Sequence, residues 1–257
     1  IIKEGWGIVR NVANAALVIG LVFIAITIIL GREGKAKETL IYFILIALLI
    51  NFTPVICQFI IDGSNILTNA FLSGGVSSNT YSIGINTAFN NIKDLNQDKF
   101  TTQVFYSILI LLFSLVFSVI LLLYALLFLA RTIILWILVI VSPIAFATKV
   151  FPKFKYLKKI FPSILHWDAW WESFWQWCVI GIPAGLSVYL ANKILLNLAN
   201  NDLVKNATSV TSVGNDNISY FLISYLIPIV FLIVGYFMSI SAGSEAAGNL
   251  SGELTGW

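Results

Sequence analysis

The sequence predicts an all-α, polytopic helical membrane protein, and three observations carry that reading. Of its 257 residues 59% are hydrophobic and only 11% charged, whereas a soluble domain has about 25% charged residues to cover its surface. The charges are also expelled from long stretches: windows 11–31, 39–61, 100–130, 132–148, 173–192 and 217–244 contain no Asp, Glu, Lys or Arg. About 20 apolar residues cross a bilayer as a helix, which satisfies its own backbone in lipid. Finally, the polar stretches between windows hold lysines and turn-forming residues. Two cysteines, both inside apolar runs, exclude a disulfide scaffold, and one His with a net charge of +3 argues against a metal cluster or a dedicated nucleic-acid domain. No catalytic residue, metal, cofactor or stable small-molecule ligand is expected. The chain begins at Ile1 and its only methionine is Met238, which leaves room for a missing upstream segment.

In chain order, the expected spans are 9–31, 39–61 with an extension to 72, a long helix over 102–141, 174–197 and 218–240. Only Arg131 separates the third and fourth charge-free windows, and no Gly, Pro, Asn or Asp beside it offers a hairpin turn. One helix of roughly 60 Å is therefore expected, at ~1.5 Å per residue. Ser142-Pro143 then breaks or kinks it. A polar loop over 73–99, an interfacial helix over about 163–178 and a small, polar tail over 241–257 complete the single helical domain.

Basic residues set the orientation. Lys149, Lys153, Lys155, Lys158 and Lys159 lie together without an acid and should face the cytoplasm, as should a turn at 32–38 with Arg32, Lys35 and Lys37. Loops 73–99 and 200–216 then fall outside, giving five crossings, an outer N-terminus and a cytoplasmic C-terminus. A turn at Arg131 would make six crossings and invert everything before it.

Three features could carry function. Asn51, Gln58, Asp62, Asn65 and Asn69 are spaced 7, 4, 3 and 4, which keeps them on one face of the second helix, where Pro54 introduces a kink. Intramembrane amides are costly facing lipid, so this stripe either lines a lumen or subunit interface or glues helices within the chain. Arg131 must be paired, hydrated or at headgroup level. Asp62 and lipid phosphates are its nearest partners by sequence, and the simpler expectation puts it at the cytoplasmic surface. The third feature is the segment from Lys149 to Cys178. Its lysines lead into Trp167, Trp170, Trp171, Trp175 and Trp177, with Asp168, Glu172 and Gln176 on another ridge. Lys155, Lys158 and Lys159 on phosphates and the indoles at headgroup level read as an interfacial anchor, although lysines with aromatics can also track a nucleic-acid backbone. No HExxH, GxSxG, P-loop or GxGxxG motif occurs, and no acid lies within the charge-free windows to serve a proton or sodium relay.

Several fragments together resemble the TrbL-type family of polytopic inner-membrane proteins of bacterial conjugation and type IV secretion. These are GWGIVRNVANAALVIGLVFIAITIILG, LIALLINFTP and ARTIILWILVIVSPIAFATKVFP, the last followed by the Trp-rich stretch. Asn51 with Pro54, Arg131 with Trp136, and Ser142-Pro143 followed by Phe151-Pro152 are the most telling pieces, within a likeness running from Trp6 to Met238. The resemblance implies a non-enzymatic channel or scaffold subunit of the inner membrane that supports substrate translocation and pilus assembly. It also implies a homo-oligomer in the lipid bilayer, other inner-membrane secretion subunits and an energising ATPase as partners, and DNA or protein in transit. The loop after the second span would correspond to the family's substrate-handling loop, but it is short here. A small-solute transporter or channel, or a membrane-anchored structural adaptor, are the alternative expectations.

Overall fold

The computed structural model describes residues 2–30, 33–75, 100–150, 165–200 and 226–241, and all five stretches are essentially helical. In order they form α1 (Ile2–Ile29), α2 (Glu33–Gly75), α3 (Phe100–Val150), α4 (Trp167–Val179), α5 (Gly181–Asn200) and α6 (Leu226–Ser241). Four stretches are long and apolar enough to cross a membrane: Ile2–Ile26, Leu40–Ser73, Ser107–Lys149 and Trp167–Leu195. Leu226–Ser241 is a shorter apolar helix. Residues 76–99 of the expected outer loop, the lysine-rich stretch with Lys155, Lys158 and Lys159, residues 201–216 of the expected 200–216 loop and the residues after Ser241 lie outside the described residues.

Three boundaries differ from the sequence expectation. The basic residues Lys35 and Lys37 belong to the first turns of α2 and not to a turn before it. The long helix does not end at Ser142-Pro143 but runs through Pro143 to Val150. The tryptophan-rich stretch, expected as a separate interfacial element to 178, opens the candidate span Trp167–Leu195. At Pro143 buried Ala145, Phe146 and Ala147 continue the apolar face past the residue that looked like a boundary, and packing of that face overrides the local signal.

The chain divides into two compact units. The first takes α1, α2 to Ser64, α3 from Ala130, and α4 through Ile180. Ala13, Leu17 and Ile24 of α1 are buried, as are Phe43, Ile46, Ile50, Thr53, Cys57 and Ser64 of α2, and Leu135, Leu138, Ala145 and Phe146 of α3. Trp170 and Phe174 of α4 have no exposed surface and stack on each other at 5.2 Å. The Trp170 indole N–H donates to the Leu138 carbonyl at 3.0 Å, and Phe146 meets the Trp167 and Trp170 rings edge-on.

The start of α4 is fixed from α3. His166 stands at the N-cap without a side-chain cap bond, and the Trp167 N–H instead donates to Thr148 Oγ1 at 3.1 Å. That hydroxyl reaches the Leu165 and Ala145 carbonyls, and Lys149 Nζ sits 4.1 Å from the Trp167 ring centroid. An orphan N–H of the first helical turn is thus satisfied by a residue distant in sequence.

The second unit takes α2 from Asn65, α3 to Leu129, α5 and α6. Ile120 and Tyr124 of α3, Ala184, Val188 and Ala191 of α5, and Ile229 and Leu232 of α6 form its core. Small residues let these helices approach closely, as in membrane packing generally. A methyl group on Gly185 would meet the Thr68 carbonyl at 3.2 Å, and one on Gly235 would fall on the Ser187 side chain. At that contact the Tyr124 hydroxyl lies 2.7 Å from Ser187 Oγ and donates to the Leu232 carbonyl at 2.8 Å. Ser187 Oγ also donates to the Ala184 carbonyl at 2.9 Å.

Candidate functional site

Several buried polar groups of the first unit, Thr53, Ser142 and Arg131 among them, bond to its own backbone. A proline within a helix lacks the N–H that would bond the carbonyl four residues earlier. For Pro54 that carbonyl belongs to Ile50, and the hydroxyl of the preceding residue, Thr53, donates to it at 3.0 Å. For Pro143 it belongs to Val139, and Ser142 Oγ donates to it at 2.7 Å. Thr53 and Ser142 are fully buried, and Thr53 Oγ1 also accepts the Trp6 indole N–H at 3.1 Å. A hydroxyl placed immediately before each proline thus closes the gap that the proline opens. Thr53→Val and Ser142→Ala should each cost about 1 kcal/mol, the scale of a buried intramembrane hydrogen bond, while Thr53→Ser should cost little. Thermal unfolding in detergent checks this series.

Arg131 closes a third gap, where the α4 helix ends at Ile180 before Gly181 and Pro183. Its Nε donates to the Trp177 carbonyl at 3.1 Å, and one terminal nitrogen donates to the Cys178 carbonyl at 3.1 Å and to Ser64 Oγ at 3.0 Å. Ser64 Oγ in turn donates to the Cys178 carbonyl. Arg131 is 7% exposed, and all three acceptors are uncharged oxygens. The partners of Arg131 are therefore Trp177, Cys178 and Ser64, and not Asp62. Arg131 sits near the middle of the candidate span Ser107–Lys149, and 132–148 continues the same helix.

The polar stripe of α2 faces the other way. Asn51, Gln58, Asp62 and Asn69 are exposed and Asn65 is half-buried. Among the described residues, the one hydrogen bond made by these side chains runs from Asn51 Nδ2 to the Ala47 carbonyl of the same helix, at 3.2 Å. The buried face of α2 carries Thr53, Cys57, Ser64 and Thr68, about a third of a turn away at ~100° per residue. Among the described residues the stripe therefore bonds to no other helix. Its free carboxylate would cost about 2.5–3.5 kcal/mol against lipid at a bilayer centre.

The tryptophans divide between inside and outside. Trp170 and Trp177, expected at headgroup level, are buried, and Trp177 Nε1 has no partner among the described residues. Trp171 and Trp175 are exposed, and Trp167, Trp171 and Trp175 stack along one edge of α4 at 5.4 and 6.5 Å. Pro143 is buried and Pro54 half-buried. Both cysteines are buried and free. Among the described residues no group of His, Cys, Asp or Glu could hold a metal ion. Sequence reasoning names Ser142 only as part of a break and does not reach Thr53 or Ser64, although for Thr53 and Ser142 a hydroxyl directly before a proline is a visible signal. In comparisons with known proteins, no family profile, no curated protein and no solved structure matches the chain.

Proposed function

We propose that this chain is a non-enzymatic channel or scaffold subunit of a bacterial type IV secretion machine. It would sit in the cytoplasmic membrane with its N-terminus outside and its C-terminus in the cytoplasm. The observation that supports this reading best is the division of its polar groups. Thr53, Ser142 and Arg131 inside the first unit bond to backbone carbonyls, whereas among the described residues the α2 stripe makes no bond to another helix, and all of it but half-buried Asn65 is exposed. A membrane protein built this way is completed by neighbours, since lipid cannot satisfy amides and a carboxylate. The resemblance of the fragments around Asn51-Pro54, Arg131-Trp136 and Ser142-Pro143 to the TrbL-type family supplies the machine. Its partners would be the other inner-membrane subunits and the energising ATPase, with DNA or protein substrate in transit.

Affinity purification of the tagged chain from native membranes in mild detergent tests this reading. Co-purification of secretion subunits, together with loss of pilus assembly and transfer in a strain lacking the chain, is the expected result. Solute uptake by vesicles holding the purified chain alone would overturn it in favour of a transporter.

A further inference from the structure

The outward face of α2 has a period that says what covers it. Ile44, Leu48, Asn51, Val55, Gln58, Asp62, Asn65 and Asn69 are separated by four and three residues in strict alternation. That is the 3.5-residue repeat of a helix whose seam stays against a partner helix in a left-handed crossing. Ile44, Leu48 and Val55 are exposed in this seam, and Phe52, Phe59 and Ile66, one residue on from Asn51, Gln58 and Asn65, flank it as exposed large apolar side chains. Phe59 is 80% exposed. A water-filled path needs neither this period nor an apolar border, whereas a helix interface has both.

The depth of the seam strengthens the case. Ser64, two residues beyond Asp62, is bonded to Arg131 and to the Cys178 carbonyl. Arg131 and Cys178 lie near the middle of the candidate spans Ser107–Lys149 and Trp167–Leu195. Asp62 therefore faces outward beside residues at the middle of these candidate spans, and against lipid it would find no hydrogen bond.

We propose that this seam packs, in parallel, against the same seam of a second copy of the chain. Copies inserted in one orientation bring equal residues to the same layer. Asn51, Gln58, Asn65 and Asn69 each carry both a donor and an acceptor, so each pairs with its own counterpart, as a buried seam asparagine does in a parallel coiled coil. Asp62 shares its layer with its own counterpart, and the amides of the adjacent Gln58 and Asn65 layers donate to both carboxyl groups there. The apolar flanks close around these layers and keep water out. The proposal rests on the multi-subunit reading above, but it names one contact within it.

The experiment uses the full chain in native membranes, in a Cys57→Ala, Cys178→Ala background, with single cysteines introduced at Asn51, Gln58, Asp62 and, as a control, Ile19 of α1, which is also exposed. Mild oxidation should convert most of the Asn51→Cys, Gln58→Cys and Asp62→Cys chains to disulfide-linked dimers, with at least tenfold less for Ile19→Cys. Absence of dimer at all three seam positions, or equal dimer at Ile19→Cys, overturns the proposal. Rapid labelling of Gln58→Cys and Asp62→Cys by a membrane-impermeant maleimide, with no dimer, overturns it in favour of a water-filled path. If dimers fail while secretion subunits still co-purify, only this contact falls and the reading of the machine survives.

Discussion

Arg131→Ala is expected to lower the stability of the folded chain by roughly 3 kcal/mol or more, read as a large fall in unfolding temperature in detergent. The substitution leaves the Trp177 and Cys178 carbonyls without their guanidinium donor and takes one partner from Ser64. Each orphaned buried polar group costs about 1–3 kcal/mol. Relief from burying a charge offsets part of this, which is why the sum is not simply three such terms. Arg131→Met separates the two contributions, because it fills a comparable volume but donates nothing. It should remain close to Arg131→Ala, while Arg131→Lys, with one donor group on a flexible stem, should recover part of the loss. If Arg131→Met proved as stable as the parent, the capping role assigned to the guanidinium would be wrong.

Gly235→Ala should be the most damaging single methyl group in the described chain. That carbon would land on the Ser187 side chain and within 3.0 Å of the Tyr124 hydroxyl. Three helices meet there, and the Tyr124–Ser187 pair cannot withdraw without releasing the Leu232 and Ala184 carbonyls. Overpacking of a dense core costs about 1–3 kcal/mol, and the linked hydrogen bonds place this site at the upper end. Gly185→Ala, tight only against the Thr68 carbonyl, should be milder. Gly63→Ala has open space around the added carbon and should gain up to about 1 kcal/mol from helix propensity. Unfolding temperatures in that order would support the close approach at Gly235, and equal losses at Gly235 and Gly185 would refute it.

The helices themselves were legible, because charge-free windows of span length leave the backbone few alternatives. Their ends were less so. Pro143 reads locally as a boundary, yet the burial of Ala145, Phe146 and Ala147 carries α3 beyond it. The α2 stripe was legible as a face, but spacing alone does not say whether a face points inward. That depended on Thr53, Cys57, Ser64 and Thr68 occupying the inner side. Arg131 was marked by its isolation, but its partners are main-chain carbonyls that no side-chain pattern announces. The tryptophan cluster misled because an amphipathic ridge resembles an interfacial helix whether its indoles meet lipid or, as at Trp170, another helix.

The Thr53-Pro54 and Ser142-Pro143 pairs have an evolutionary consequence. Each hydroxyl matters because its neighbour is a proline, so each dipeptide is a single heritable unit. Drift can exchange threonine for serine, or replace both members together with residues that restore an ordinary helical turn. Losing the hydroxyl alone exposes an unmet carbonyl, whereas losing the proline alone makes the Ser142 hydroxyl redundant and leaves the Thr53 hydroxyl its bond from Trp6. Substitutions at these sites therefore have an order, with proline leaving first and the hydroxyl following.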